Sequence, residues 1–146
     1  MSEENVELVK AAHPPTGTEL TDLFADDAGA PDRLDAVAPL YHAEFAFEVH
    51  GAVADTLRGR GLPELIDAWR GWIEAFDVYW SEVEDFVDAG DDQVLVILRD
   101  HGRLKGTDAE IESLGASLWT LRDQKIARID FYPTRQQGLY AAGLSE

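Results

Sequence analysis

Cysteine is absent from the 146-residue chain. Disulfides and thiolate metal sites are thereby excluded, and the redox compartment cannot be read from the sequence. Positive charge is scarce: 12 Lys and Arg face 29 Asp and Glu, for a net charge of −17, which argues against a nucleic-acid partner whose phosphates need a basic surface. The N-terminus is polar, and no apolar run approaches the roughly 18 residues of a membrane span. Neither a span nor a secretory signal is expected, and the cytoplasm is the expected location. No cofactor-binding motif, internal repeat or low-complexity linker is present, so no cofactor is expected. No two of the four histidines stand at i, i+3 or i, i+4. His42 and His50 therefore read as turn and surface residues, and no metal site is expected.

What is present suffices for one domain spanning residues 1–146. At 45% hydrophobic and 10% aromatic residues, the chain can bury a core of its own. Acid is concentrated in the first hundred residues, densest at Glu82, Glu84, Asp85, Asp88, Asp91 and Asp92. This run reads as a solvated face, or as a docking surface for a basic partner or a cation.

The stretch from Gln93 to Tyr132 organises the rest. Val94 to Leu98 is apolar and β-branched, and Leu118 to Leu121 and Ile126 to Tyr132 follow it, which predicts an antiparallel meander. Between the last two, Arg122 to Lys125 is a hairpin turn. Upstream, Glu3 and Glu4 open a first helix that Pro14-Pro15 ends at His13. Thr16 to Pro31 holds one helical turn, from Thr18 to Phe24, and forms a lid or a surface detour. A second helix is expected from Pro31-Asp32, with Leu34, Val37, Ala38 and Tyr41 at helical spacing.

Phe45, Phe47 and Val49 alternate with Glu44, Glu48 and His50 in a strand. After a loop over residues 51–60, Leu62, Leu65, Ile66, Trp69, Trp72, Ile73 and Phe76 trace the strongest helix, with Pro63 in its first turn. Val78 to Val87 gives another strand, and a short helix starts at Thr134. This order predicts an α+β fold in which a curved sheet wraps over helices as a cone open at one end.

Trp119 to Ile129, closing on Phe131-Tyr132 and a short helix, resembles the end of a SnoaL-like protein of the nuclear transport factor 2 superfamily. Glu4 to Lys10 and Arg60-Gly61 are similar to that family's first helix and the approach to its third. The resemblance implies a cystatin-like α+β barrel, cone-shaped, with a mixed but mainly antiparallel sheet over N-terminal helices. It also implies a homodimer through the outer sheet face, for which Trp80, Phe86 and Leu118 are the exposed apolar candidates. Ketosteroid isomerases and limonene epoxide hydrolases are relatives. The isomerase base, oxyanion acid and tyrosine match Val49, Ser117 and His13, so that base is missing. Of the hydrolase Asp-Arg-Asp set, Asp100 matches one aspartate, while Leu98 and Phe131 replace the other two.

Strand alternation decides which side chains face inward. Ala127, Ile129 and Phe131 form one set against Arg128, Asp130 and Tyr132; Val94, Val96, Leu98 and Asp100 form another against Arg99, His101 and Arg103. The apolar sets are expected inside. A slip by one residue would instead send Arg99, His101 and Asp130 inward. In the expected register, Phe45, Phe47, Val49, Leu98, Trp119, Ile129 and Phe131 line a pocket suited to a hydrophobic small molecule, with Asp100, His13 and Ser117 as its polar, candidate catalytic groups. Two readings follow: a cofactor-independent acid-base cyclase, isomerase or hydrolase, or a non-catalytic ligand-binding or dimerisation module.

Overall fold

The computed structural model describes residues 2–13, 37–50 and 57–144. The expected lid or detour at Thr16 to Pro31 and the start of the helix at Pro31-Asp32 lie outside these residues, as does most of the loop after His50. Among the described residues, helix α1 is Ser2–Ala12, α2 is Gly61–Ile73 and α3 is Arg135–Ala141. The strands are β1 Tyr41–Val49, β2 Leu57–Arg60, β3 Phe76–Gly90, β4 Gln93–Leu104, β5 Glu110–Arg122 and β6 Lys125–Tyr132. They make one six-stranded sheet in the order β2-β1-β6-β5-β4-β3. Only the β1–β6 pairing is parallel. The expected α+β architecture, a mixed and mainly antiparallel curved sheet with helices, is therefore present.

Three hairpins build the meander from β3 to β6, two of them through tight turns. Asp91 and Asp92 (φ 50° and 60°) and Asp123 and Gln124 (φ 55° and 61°) are left-handed pairs, the conformation of the two-residue turns whose twist matches the flanking strands. At the C-terminus, Thr134 caps α3 by accepting a hydrogen bond from the Gln137 backbone N–H at 3.1 Å, which satisfies one of the free donors of a helix start.

The inner face of the sheet carries the main core. Val9 and Ala12 of α1 and Leu65 of α2 pack with Phe45, Phe47, Val94, Val96, Trp119, Leu121, Ile126 and Ile129. A second cluster lies on the outer face, where Leu95, Ile97, Ala116 and Leu118 are covered by Leu139, Ala142 and Leu144.

Several local expectations are corrected. Residues 57–60 form an edge strand on β1, pairing Ala46 with Arg60 and Val49 with Leu57; charge and glycine hid it in the sequence. Tyr41 belongs to β1, edge-on to Phe45 at 4.8 Å. Phe76 opens β3 instead of closing the helix and packs on Tyr79 and Ile73.

Two of the three residues expected to be exposed for dimerisation are covered. Trp80 and Glu82 pair with the outward His101 and Arg99, but a bulge between Val83 and Asp85 reverses the alternation. An extra residue in one strand flips the faces beyond it. Phe86 consequently packs against the inner core. Leu118 faces outward but is 3% exposed, because α3 folds back over it. Trp80 is half-buried against His101, the two rings stacked at 4.1 Å.

Candidate functional site

Asp100 faces inward on β4, next to Leu98, as the unslipped register requires. Its registered partners are Ser81 on β3 and Ser113 on β5. Ser81 donates its hydroxyl to Asp100 Oδ1 at 2.5 Å, and the Tyr79 hydroxyl also bonds the carboxyl. Burial pushes the Asp100 carboxyl above the usual carboxylate range, against the opposing pull of the two hydroxyls and of the His101 charge. A carboxyl shifted upward by desolvation and held by two neutral donors is equipped to hold or release a proton.

The setting depends on Gly102, where a Cβ would come within 2.8 Å of the Phe76 ring and 3.2 Å of the Tyr79 ring. Its absence lets both aromatics lie against β4. Trp69 of α2 then crosses the interior, 6.4 Å from the Tyr79 ring and edge-on to Phe131 at 5.7 Å.

His13 and Ser117 meet elsewhere, through Trp119. The Trp119 indole donates to Ser117 Oγ at 2.8 Å, and the His13 ring lies 5.6 Å from the indole and 6.0 Å from Phe86. Ser117 pairs with Val96, four residues from Asp100. At about 3.3 Å per residue, the two polar groups stand roughly 13 Å apart along the strand. The three candidate catalytic residues thus fall into two groups, Asp100 in one and His13 with Ser117 in the other.

Of the expected lining residues, Phe45, Phe47, Trp119 and Ile129 are fully buried in the inner core, while Val49, Leu98 and Phe131 are partly buried and pack against it. Two surface clefts lie apart from this set. One of about 470 Å³ is bordered by Glu4, Asp92 and Arg122, the other of about 330 Å³ by Trp80, His101 and Ile111.

Sequence reasoning missed Ser81, Tyr79 and Trp69. Counting back from the paired Gly90 and Gln93 would set Asp100 opposite Val83, but bulges shift its partner to Ser81. Trp69 was legible as a helical apolar residue, though not as the one reaching both edges of the interior.

On the outer face the charges pair. Arg99 donates to Glu84 at 3.0 Å and to Glu112 at 2.9 Å, and His101 lies 2.6 Å from Glu82. Arg128 grips Asp130 with two hydrogen bonds of 2.9 and 2.8 Å and reaches Glu48 at 2.9 Å. Burial alone would raise the Asp130 carboxyl; the bonds from Arg128 and His50 outweigh it and leave the group below the usual range. Among the described residues, no helix is long and apolar enough to cross a membrane.

Comparison with known proteins places this geometry in a family. No curated protein matches the chain. An NTF2-like protein from Burkholderia xenovorans is similar in structure at a TM-score of 0.60 and 21% identity, covering 90% of each chain. A protein with a ketosteroid isomerase-like fold from Catenulispora acidiphila, solved with trimethylamine, gives 0.56 and 21% over 94% of this chain and 93% of that one. A phenazine biosynthesis-related protein from Pseudomonas aeruginosa gives 0.63 and 17% over 99% and 84%. At these identities the likeness establishes the fold and leaves the reaction open. The model of the SnoaL-like domain matches residues 20–129, and with the six-stranded sheet and its inward apolar face in place, the chain belongs to the SnoaL-like domain family.

Proposed function

We propose that the protein binds a hydrophobic small molecule inside the cone and that Asp100 exchanges a proton with it. The observation that carries this reading is the inward Asp100 carboxyl, held by Ser81 and Tyr79 and raised by burial. Leu98, Trp69, Phe131 and Val49 are partly buried apolar residues packed on the same inner core, and a mostly apolar site with few polar groups selects for hydrophobic ligands. His13 is too distant to complete an acid-base pair with Asp100. A carbonyl compound fits this chemistry, since one carboxyl can remove a proton from the carbon beside the carbonyl and return it. The same separation favours a second reading, binding without turnover.

Titration with a panel of hydrophobic ketones, followed by tryptophan fluorescence, tests binding. Deuterium exchange beside the carbonyl, followed by NMR, tests proton transfer. Wild type should bind and exchange, and Asp100→Asn should lose exchange while keeping affinity within about tenfold, roughly 1.4 kcal/mol. Binding with no exchange selects the second reading, and no binding across the panel overturns both. We also propose that two copies pair through the outer face near Trp80 and Leu114, the latter 40% exposed. Sedimentation at micromolar concentration showing only a 16.2 kDa species counts against that.

A further inference from the structure

A second constellation lies on the opposite face of the sheet, separate from Asp100. The parallel register of β1 and β6 sets Glu48 beside Asp130. His50 follows Glu48 by two residues, and Tyr132 follows Asp130 by two, so all four share the outer face. The His50 ring stacks flat on Tyr132 at 4.6 Å with 4° between the planes, and the His50 backbone N–H donates to the Phe131 carbonyl at 2.8 Å. Ring and backbone are both held.

We propose that Glu48, His50 and Asp130 form a binding site for one divalent transition-metal cation of the zinc type. The three side chains offer donor atoms that all lie within 4.8 Å of one another. His50 Nε2 is 3.0 Å from Asp130 Oδ1. With the proton on Nε2, the ring donates to that carboxylate and presents Nδ1 as a lone pair. Nδ1 lies 3.8 Å from Glu48 Oε2, within a few tenths of an ångström of the roughly 3.4 Å that two zinc-ligand bonds of about 2.1 Å span at a tetrahedral angle.

The arrangement is a carboxylate behind a histidine with the metal in front, the pattern that fixes tautomer and ring orientation in metal sites. Asp130, 8% exposed, is the supporting carboxylate, while His50 Nδ1 and Glu48 Oε2 bind directly and water completes the shell. Arg128 need not move. It bonds both oxygens of Asp130 and only Oε1 of Glu48, leaving Oε2 to the metal. Two carboxylates against one guanidinium leave a negative charge beside the imidazole, and the −17 chain enriches cations around it. Imidazole with carboxylate suits zinc better than magnesium or calcium, which prefer all-oxygen shells.

Isothermal titration of the full chain, stripped with chelator, against Zn²⁺ alone is the test. One ion per chain is expected, with affinity at least tenfold weaker in His50→Ala and Glu48→Gln and about 10–100-fold weaker in Asp130→Asn. His101→Ala, which removes the other histidine flanked by two carboxylates, should leave affinity unchanged. Circular dichroism checks folding, and the near-isosteric Glu48→Gln carries the test if His50→Ala does not fold. Absence of stoichiometric zinc, equal affinity in wild type and Glu48→Gln, or an equal loss in His101→Ala overturns the proposal.

Discussion

Gly138 holds α3 against the sheet, and adding a single methyl group there measures how firmly. A Cβ at this position would lie 2.5 Å from Ala116 Cβ, 3.8 Å from Ala116 Cα and 3.3 Å from Leu95 Cδ1. Carbon atoms rest at about 3.5–4.0 Å. The Leu95 methyl can turn aside, whereas Ala116 Cβ is fixed to the backbone, so Gly138→Ala must lift α3 by about 1 Å. Lifting seven residues loosens Leu139, Ala142 and Leu144 from Leu95, Ile97 and Leu118. Overpacking of this kind costs about 1–3 kcal/mol, while alanine in a helix recovers up to about 1 kcal/mol over glycine.

The net loss should be about 1–2 kcal/mol, a fall in Tm of roughly 3–6 °C for a chain of this length. Gly71 provides the contrast. It is exposed on α2, and a Cβ there meets nothing within 4 Å, so Gly71→Ala should raise stability by up to about 1 kcal/mol. Thermal melts of both variants read the difference directly. A Gly138→Ala melting temperature at or above wild type would refute the reasoning, because it would mean that α3 is not seated on Ala116.

Two further predictions concern buried carboxylates. Arg128→Leu leaves the nearly buried Asp130 with His50 alone. It should cost about 2 kcal/mol in urea unfolding, below the ~3–5 kcal/mol of a fully buried pair because the Arg128 side chain is 42% exposed. A loss under about 0.5 kcal/mol would show that the pair adds little. Asp100 and Asp130 should respond to pH with opposite signs. Asp130, held low, contributes stability that is complete above the ordinary carboxylate pKa and is lost as pH falls through its depressed folded value. Asp100, held high, binds its proton more tightly folded than unfolded, so it costs stability as pH rises from the ordinary carboxylate value through its raised one. The stability of Asp100→Asn relative to wild type should therefore grow from about pH 4 toward neutrality. A difference that stays flat over that range would contradict the burial of Asp100.

Period-two patterning carried much of the architecture. Phe45 and Phe47 against Glu44 and Glu48, and Ile129 and Phe131 against Arg128 and Asp130, identified the inner face of β1 and β6, and the same rule set Asp100 inside and Arg99 and His101 outside. It failed at Phe86, where a bulge inserts a residue that no local sequence feature announced, and at Leu118, whose cover, Leu139, Ala142 and Leu144, lies more than twenty residues downstream. The Ser81 contact was hidden for the first reason, since bulges corrupt the hairpin count. The Glu48–His50–Asp130 group was hidden for another. Histidine spacing searches histidine pairs, whereas Glu48 and His50 meet the supporting Asp130, 80 residues beyond His50, only through a parallel register.

The alternation that made the fold legible also limits its chemistry. By sending Arg99 and His101 outward to Glu84 and Glu82, and Arg128 outward to Asp130 and Glu48, the sheet leaves Asp100 as the one charged residue on the inward faces of β1, β4 and β6. Ser81 and Tyr79 adjust its basicity but are themselves poor proton carriers near neutral pH, with tyrosine titrating near 10 in water. In the proposed reaction, and among the described residues, a proton removed from a ligand by Asp100 is returned by Asp100 or surrendered to solvent. Reactions that move a proton between two sites of one molecule, or exchange it with water, fit that arrangement. Among the described residues His13, the other candidate, stands too far from Asp100 for the two to act together as acid and base, each needing the roughly 2.6–3.2 Å reach of a hydrogen bond to the substrate.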